Sequence, residues 1–237
     1  ALGFEAGRAT GGVNNLTNIG FQAGSSNTGG NSTVVGFQAG NANTGADAVI
    51  IGFQAGGTNA GGRATIIGSL AGRGNSGQQN TYIGWNAAGL LNNSACSNNV
   101  AVGMNAMIAN TTGTQNTAMG NAALDANTDA VENTAFGDAA LGANTTADDN
   151  VAIGAFSLDA NTTGTNNTGT GYVTLAANTT GASNTANGYG TLSANTTGNN
   201  NTASGSLSLV KNQNGTNNTA IGYTAGYLNT SGSNNVF

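Results

Sequence analysis

The chain has 237 residues, of which 5% are charged; it has 40 Gly, one Cys, no Pro and no His, and a formal net charge of −5. Four basic residues (Arg8, Arg63, Arg73 and Lys211) cannot neutralise many phosphates, which argues against nucleic acid as a partner. Without His there is no Ser/His or Cys/His dyad and no common zinc set, and no run approaches the ~18 apolar residues of a membrane-spanning helix.

An ordinary globular domain carries roughly 25% charged residues. Here Asn, Thr, Gly and Ala take their place. Such polarity usually goes with disorder, but disordered chains are charged and Pro-rich and lack a regular apolar beat. This chain has the beat. A marker glycine recurs at Gly3, Gly20, Gly36, Gly52, Gly68, Gly84, Gly103, Gly120, Gly137, Gly154, Gly171, Gly188, Gly205 and Gly222. The steps are 17, four of 16, one of 19 and seven of 17. A fixed period of this size marks a stack in which each unit is one turn.

In chain order, residues 1–79 form a first array of the type VVGFQAGNANTGADAV. Residues 80–98 form an irregular seam with the only Trp (Trp85) and the only Cys (Cys96), and residues 99–237 form a second array of the type NTAxGxxALxANTTG. Both arrays keep seven residues from the marker glycine to a following Asn, as from Gly36 to Asn43 and from Gly120 to Asn127. The shorter period is confined to the turn beyond that Asn, so the strands keep their register. The seam is either a splice between arrays or a loop that carries binding groups. The chain begins and ends inside a repeat, and we expect it to be a segment of a longer protein.

Two short extended runs are expected in each coil. One ends at the marker glycine (Val49-Ile50-Ile51, Val151-Ala152-Ile153); the other passes through the Ala-Leu pair toward the second Asn (Ala140-Leu141). Strands stacked at ~4.8 Å would carry fourteen coils over about 65 Å. The fold class is therefore all-β: a parallel β-solenoid (β-roll or β-helix) of about 14 coils with 16–17-residue repeats.

Two Asn columns keep the period. One runs Asn116, Asn133, Asn150, Asn167, Asn184, Asn201, Asn218 and Asn235; the other runs Asn127, Asn144, Asn161, Asn178, Asn195, Asn212 and Asn229. A carboxamide both donates and accepts, so identical Asn side chains in successive coils can form a ladder. They can also serve simply as turn residues. In the first array the residue two before the marker is large (Val34, Ile50, Ile66) and the residue four after it is Gly (Gly40, Gly56, Gly72). In the second array the same positions read Ala (Ala118, Ala135, Ala152) and Leu (Leu124, Leu141, Leu158). Either the two positions meet across one packed layer of conserved volume, or two unrelated repeat families are fused.

Val49-Ile50-Ile51 and Thr65-Ile66-Ile67 alternate faces, yet both faces are apolar. A strand apolar on both sides needs burial on both. One face can fill the coil; the other calls for a second copy, as in a side-by-side homotrimer, unless a wider single-chain coil encloses both.

Other columns are ambiguous. Glu132 and Asp149 share one repeat position, where a Ca²⁺ could bridge them or solvent could simply surround them. Thr111, Thr128, Thr145, Thr162, Thr179 and Thr196 stack at the turn, a pattern that suggests ice binding, although they flank Gly in NTTG turns and do not lie on a flat strand. Phe4, Phe21, Phe37, Phe53, Trp85, Tyr172, Tyr189 and Tyr223 follow the marker glycine, where they could stack on sugar rings or cover a corner of the coil. Cys96 has no basic neighbour in sequence to activate it. N-x-S/T sites occur at Asn110, Asn144, Asn161, Asn178 and Asn195. No catalytic, cofactor or metal residue stands out.

Through NVAIG (150–154), NVAVG (99–103) and NTAIG (218–222), the chain resembles head repeats of trimeric autotransporter adhesins, and NTAxGxxALxANTTG resembles shaft repeats of phage tail fibres and related adhesive trimers. The resemblance implies three chains side by side, extracellular, cell-surface or virion exposure, and attachment to a host or prey surface, glycan or matrix ligand. The period of 16–17 residues is longer than that of adhesin heads. The expected function is a non-enzymatic adhesin shaft or receptor-binding stalk; the alternatives are an ice-binding solenoid and a passive structural filament.

Overall fold

The computed structural model describes residues 1–12, 15–89 and 96–237, which form two compact units, Ala1–Asn116 and Thr117–Phe237. The chain is a parallel β-solenoid. The first unit contains β1 (Thr17–Ile19), β2 (Thr33–Val35), β3 (Val49–Ile51), β4 (Thr65–Ile67), β5 (Thr81–Ile83) and β6 (Val100–Val102). The second contains β7 (Thr117–Met119), β8 (Thr134–Phe136), β9 (Val151–Ile153), β10 (Thr168–Thr170), β11 (Thr185–Asn187), β12 (Thr202–Ser204) and β13 (Thr219–Ile221). Within each unit every strand pairs in parallel with its sequence neighbour, as in Val34↔Ile50 and Ala135↔Ala152. An isolated bridge extends the ladder at either end, Leu2↔Ile19 and Thr219↔Val236. The described residues include no helix.

The seam keeps the register. Thr81 faces Val100 and Ile83 faces Val102 across the 19-residue step, so the extra residues leave the strands aligned. The loop expected in the seam falls on residues 90–95, outside the described residues.

The second extended run does not form. Each coil has a single three-residue strand, and the stretch after the marker glycine is a succession of turns. Its backbone alternates in hand, with positive φ two and four residues past the marker: Ala122 and Leu124 at 52° and 51°, Ala139 and Leu141 at 50° and 53°. A left-handed residue other than Gly costs roughly 1–2 kcal/mol. Burying a leucine side chain contributes about 1.5–3 kcal/mol, and Leu124, Leu141 and Leu158 are fully buried. Burial therefore offsets the strain, and an apolar side chain at a left-handed position gives no sign in a propensity pattern.

The marker glycines have φ near +125° to +145°, and a Cβ at Gly36, Gly52 or Gly120 would overlap the next marker's carbonyl oxygen. Both facts demand glycine.

The volume exchange is a single packed layer. A Cβ on Gly56 would lie 3.0 Å from Ile50 Cγ2 and 3.3 Å from Ile66 Cδ1; one on Gly40 would lie 3.1 Å from Val34 Cγ1. Bulk at the strand thus occupies the space that leucine fills from the opposite wall in the second array.

Both Asn columns are buried ladders. In the second unit Asn178 Nδ2 donates to Asn161 Oδ1 at 2.8 Å, Asn195 to Asn178 at 2.8 Å and Asn212 to Asn195 at 3.0 Å. In the first unit Asn59 donates to Asn43 and Asn75 to Asn59, each at 2.6 Å. In the other column Asn201 Nδ2 and its backbone N–H both reach Asn184 Oδ1 at 3.0 Å. The columns meet at shared carbonyls: Gly198 O accepts from Asn184 at 2.8 Å and from Asn195 at 3.0 Å. Each such Asn donates twice and accepts once, as Asn195 does toward Asn178 and Gly198; ionised Asp has no donor and Ser only one, which explains why Asn recurs in the second array.

Candidate functional site

With the central residue of each strand inside the coil, the residues on either side of it point outward. In the first unit they form two ranks. One reads Thr17, Thr33, Val49, Thr65, Thr81, Val100; the other reads Ile19, Val35, Ile51, Ile67, Ile83, Val102. In the second unit the corresponding rank reads Thr117, Thr134, Val151, Thr168, Thr185, Thr202 and Thr219. The other rank changes from Met119, Phe136 and Ile153 to Thr170, Asn187 and Ser204. In-register parallel strands place these side chains about 4.8 Å apart along the stack and roughly 6.6 Å across it. The face carries no charged residue, and its β-branched side chains have few rotamers to lose. Ile19 is 40% exposed, Ile153 42% and Phe136 52%. These are large apolar side chains left half in water.

The strand threonines were not singled out from the sequence, where the turn threonines drew attention. The signal was present: a Thr three residues before most marker glycines, opposite in facing to the residue between. The turn threonines are engaged within the stack. Thr162 Oγ1 donates to Thr179 O at 3.0 Å and Thr179 Oγ1 to Thr196 O at 3.0 Å, so that rank presents few free hydroxyls. Among the described residues the hydroxyls of Thr33, Thr65 and Thr185 have no hydrogen-bond partner.

The aromatic column is a stack of rings. Phe4, Phe21, Phe37 and Phe53 lie with centroids 5.5, 5.1 and 5.4 Å apart and interplanar angles of 16°, 9° and 10°. Tyr172 and Tyr189 repeat the arrangement at 5.8 Å. Each ring covers the face of the next, which leaves edges to solvent and removes the faces a sugar would need. This favours the corner-covering reading.

The remaining columns resolve as follows. Glu132 and Asp149 are exposed turn residues at left-handed positions, φ 59° and 60°. Among the described residues no group of three or more Asp, Glu, His or Cys is placed to hold a metal. Asp125 and Asp159 flank Gly142, whose absent side chain leaves them near one another. Burial raises the Asp125 carboxyl above its usual range, with a further push from Asp159; burial also raises Asp159, helped by Asp138. Cys96 is buried with its Sγ 3.5 Å from Tyr82 Oη. Burial raises the Cys96 thiol and raises the Tyr82 phenol well above its ordinary value, so neither is a nucleophile at neutral pH. The glycosylation sequons at Asn144, Asn161, Asn178 and Asn195 lie inside the ladder and are fully buried, closed to a glycosyltransferase in the folded chain.

No protein-family model, curated protein or solved structure matches the chain. No helix of the described residues is long and apolar enough to cross a membrane.

Proposed function

We propose that the chain is a non-enzymatic, adhesive segment of an extracellular fibre, acting as a shaft or receptor-binding stalk and assembling as a side-by-side homotrimer. The observation that carries this reading is the outward strand face. One of its two ranks is apolar, uncharged and partly exposed in each unit: Ile19, Val35, Ile51, Ile67, Ile83 and Val102 in the first, and Met119, Phe136 and Ile153 in the second. An apolar face of this extent marks an interaction surface, and a second and third copy offer the same face in the same period. The Asn ladders support a mechanical role, because each coil is bonded to its neighbours through side chains as well as backbone. The exchange of Ile for Thr, Asn and Ser in β10 to β12 would loosen the contact there and leave the repeat surface to a host, prey or matrix ligand.

The test is retention under flow. Beads carrying the chain should hold to glycan- or matrix-coated surfaces, and Ile51→Lys with Ile67→Lys should abolish both assembly and retention. Retention no greater than that of bare beads would end the adhesive reading.

A second reading has a specific observation in its favour. The evenly spaced rank of Thr (with Val49, Val100 and Val151) beside a second rank, β-branched in the first unit, on a strand face without charge, suits a regular lattice such as ice. Thermal hysteresis of the purified chain, lost on Thr33→Lys with Thr65→Lys, would support it. Freezing behaviour equal to that of an inert protein would remove it.

A further inference from the structure

We propose that a notch at Gly57 in the first unit is a subsite for a carboxylated sugar, a uronic or sialic type of residue. Five residues past each marker glycine the column reads Arg8, Ser25, Asn41, Gly57, Arg73. The glycine leaves a gap between Asn41 of the preceding coil and Arg73 of the following one. The result is a cavity of about 200 Å³ lined by Gln38, Asn41, Gln54, Gly57, Thr58 and Arg73. Ligand pockets for drug-sized molecules run from ~300 Å³ upward, so this space suits one sugar ring.

Thr58 Oγ1 is engaged, donating to Arg73 O at 3.1 Å, and three polar groups of the lining are left for a ligand among the described residues: Gln54 Oε1, Asn41 Nδ2 and the Arg73 guanidinium. Gln54 Nε2 donates to Gln38 Oε1 at 2.9 Å, Gln38 Nε2 to Gln22 Oε1 at 2.9 Å, and Gln22 Nε2 to Glu5 Oε2 at 2.8 Å. This amide ladder runs in one direction. It ends at the notch with Gln54 Oε1, an acceptor without a partner among the described residues, because the next coil has Leu70 at that position. Asn41 accepts from Ser25 Oγ through Oδ1, which leaves its Nδ2 free to donate. Arg73 forms no ion pair among the described residues. The first unit holds three basic and two acidic residues, whereas the second holds one basic and seven acidic, so an anion is drawn to the first.

The chemistry these groups recognise is specific. A planar guanidinium matches a carboxylate with two parallel hydrogen bonds, which a compact ammonium cannot do. A free carboxamide acceptor and a free carboxamide donor beside it match the hydroxyls of a sugar ring. A simple carboxylate such as acetate could take the arginine and the Asn41 donor but has no hydroxyl to offer Gln54 Oε1. The notch is shallow and open, so one site binds weakly, near the millimolar range. Copies presented together multiply that through effective concentration. The inference deepens the adhesive reading, on which it depends for its biological meaning; the binding measurement does not depend on assembly.

The experiment is a titration of the full chain by NMR with glucuronate, N-acetylneuraminate, glucose and acetate, read at the amide signals of Gln38, Asn41, Gln54 and Arg73. The acidic sugars should shift these signals saturably, at least tenfold more tightly than glucose or acetate. A preference between the two acidic sugars would tell a plant or microbial polysaccharide source from a sialylated one. Arg73→Gln should remove the binding, and Arg73→Lys should weaken it strongly. Gly57→Asn should remove it by filling the notch; this glycine has no left-handed φ, and a Cβ there meets Arg73 O at 3.5 Å and Gln54 O at 3.8 Å, both ordinary contacts, so the fold is kept. Equal response to acetate and to the acidic sugars, binding that survives Gly57→Asn, or no saturable shift would each overturn the proposal. Loss of assembly with the titration intact would instead overturn the fibre reading alone.

Discussion

The packed layer between strand and opposite wall makes a quantitative prediction. In the first unit Ile50 fills the layer from the strand and Gly56 faces it; in the second, Ala135 and Leu141 hold those places. Ile50→Ala alone removes a fully buried side chain and should cost about 2–5 kcal/mol. Gly56→Leu alone drives a side chain into Ile50 and Ile66, whose carbons would already lie 3.0–3.3 Å from a new Cβ. Overpacking of this kind costs about 1–3 kcal/mol, and the left-handed φ of +53° adds roughly 1–2 kcal/mol for any side chain. The double variant transplants the arrangement of the second unit, in which leucine already tolerates that backbone. It should be less destabilised than the sum of the singles by about 0.5–3 kcal/mol, the range seen for residues in contact. Denaturant unfolding followed through Trp85, the sole Trp and a member of the first unit, measures all four species. Additive costs would show that the two positions do not share one space and would refute the layer.

Four further outcomes are expected. Asn195→Ala removes a buried link that both donates and accepts and should cost about 2–4 kcal/mol, since each orphaned partner loses roughly 1–3 kcal/mol; Asn195→Asp should be no milder, and amide exchange of neighbouring coils in the second unit would report it. Asn18→Val should stabilise the first unit by ~1 kcal/mol in the same Trp85-monitored unfolding, because the buried Asn18 Oδ1 has no partner and the equivalent position in the next coil is Val34. Asp125 and Asp159 have raised folded values, so the folded chain holds their protons more tightly than the unfolded chain does. Stability should therefore rise as pH falls from neutral through their folded values, level off below the ordinary carboxylate range, and become flatter with pH in Asp125→Asn and Asp159→Asn; urea midpoints between pH 7 and pH 4 give the slope. Gly137→Ala should abolish ordered folding of its coil, because its φ of 145° and the close approach of Gly154 both exclude a side chain; loss of amide protection around β8 and β9 would show it.

Much of this architecture was legible in the repeat itself. The marker glycines fixed the strand register, and the Asn columns pointed to ladders because few other side chains donate and accept in the same place. The exchange of Val34, Ile50 and Ile66 for leucine on the other wall revealed a contact between positions six residues apart. What the pattern hid was backbone hand. Ala140-Leu141 read as an extended run, but the left-handed φ of Ala139 and Leu141 on either side of Ala140 is imposed by burial and by the coil's closure, which no local propensity records. The candidate surfaces were hidden for a related reason. Whether Thr33 and Thr65 face water depends on which strand face closes the coil, and the notch at Gly57 exists only because Arg73 stands one coil above it.

The claim on which the functional account rests is that the outward strand face of this chain is covered by other copies. Sedimentation equilibrium of the purified chain tests it directly. The account predicts a species of three times the 22.9 kDa chain mass, reduced to the chain mass by Ile51→Lys with Ile67→Lys while the strand signal in circular dichroism is unchanged. A wild-type chain that sediments at the single-chain mass at all concentrations up to the millimolar range would contradict it.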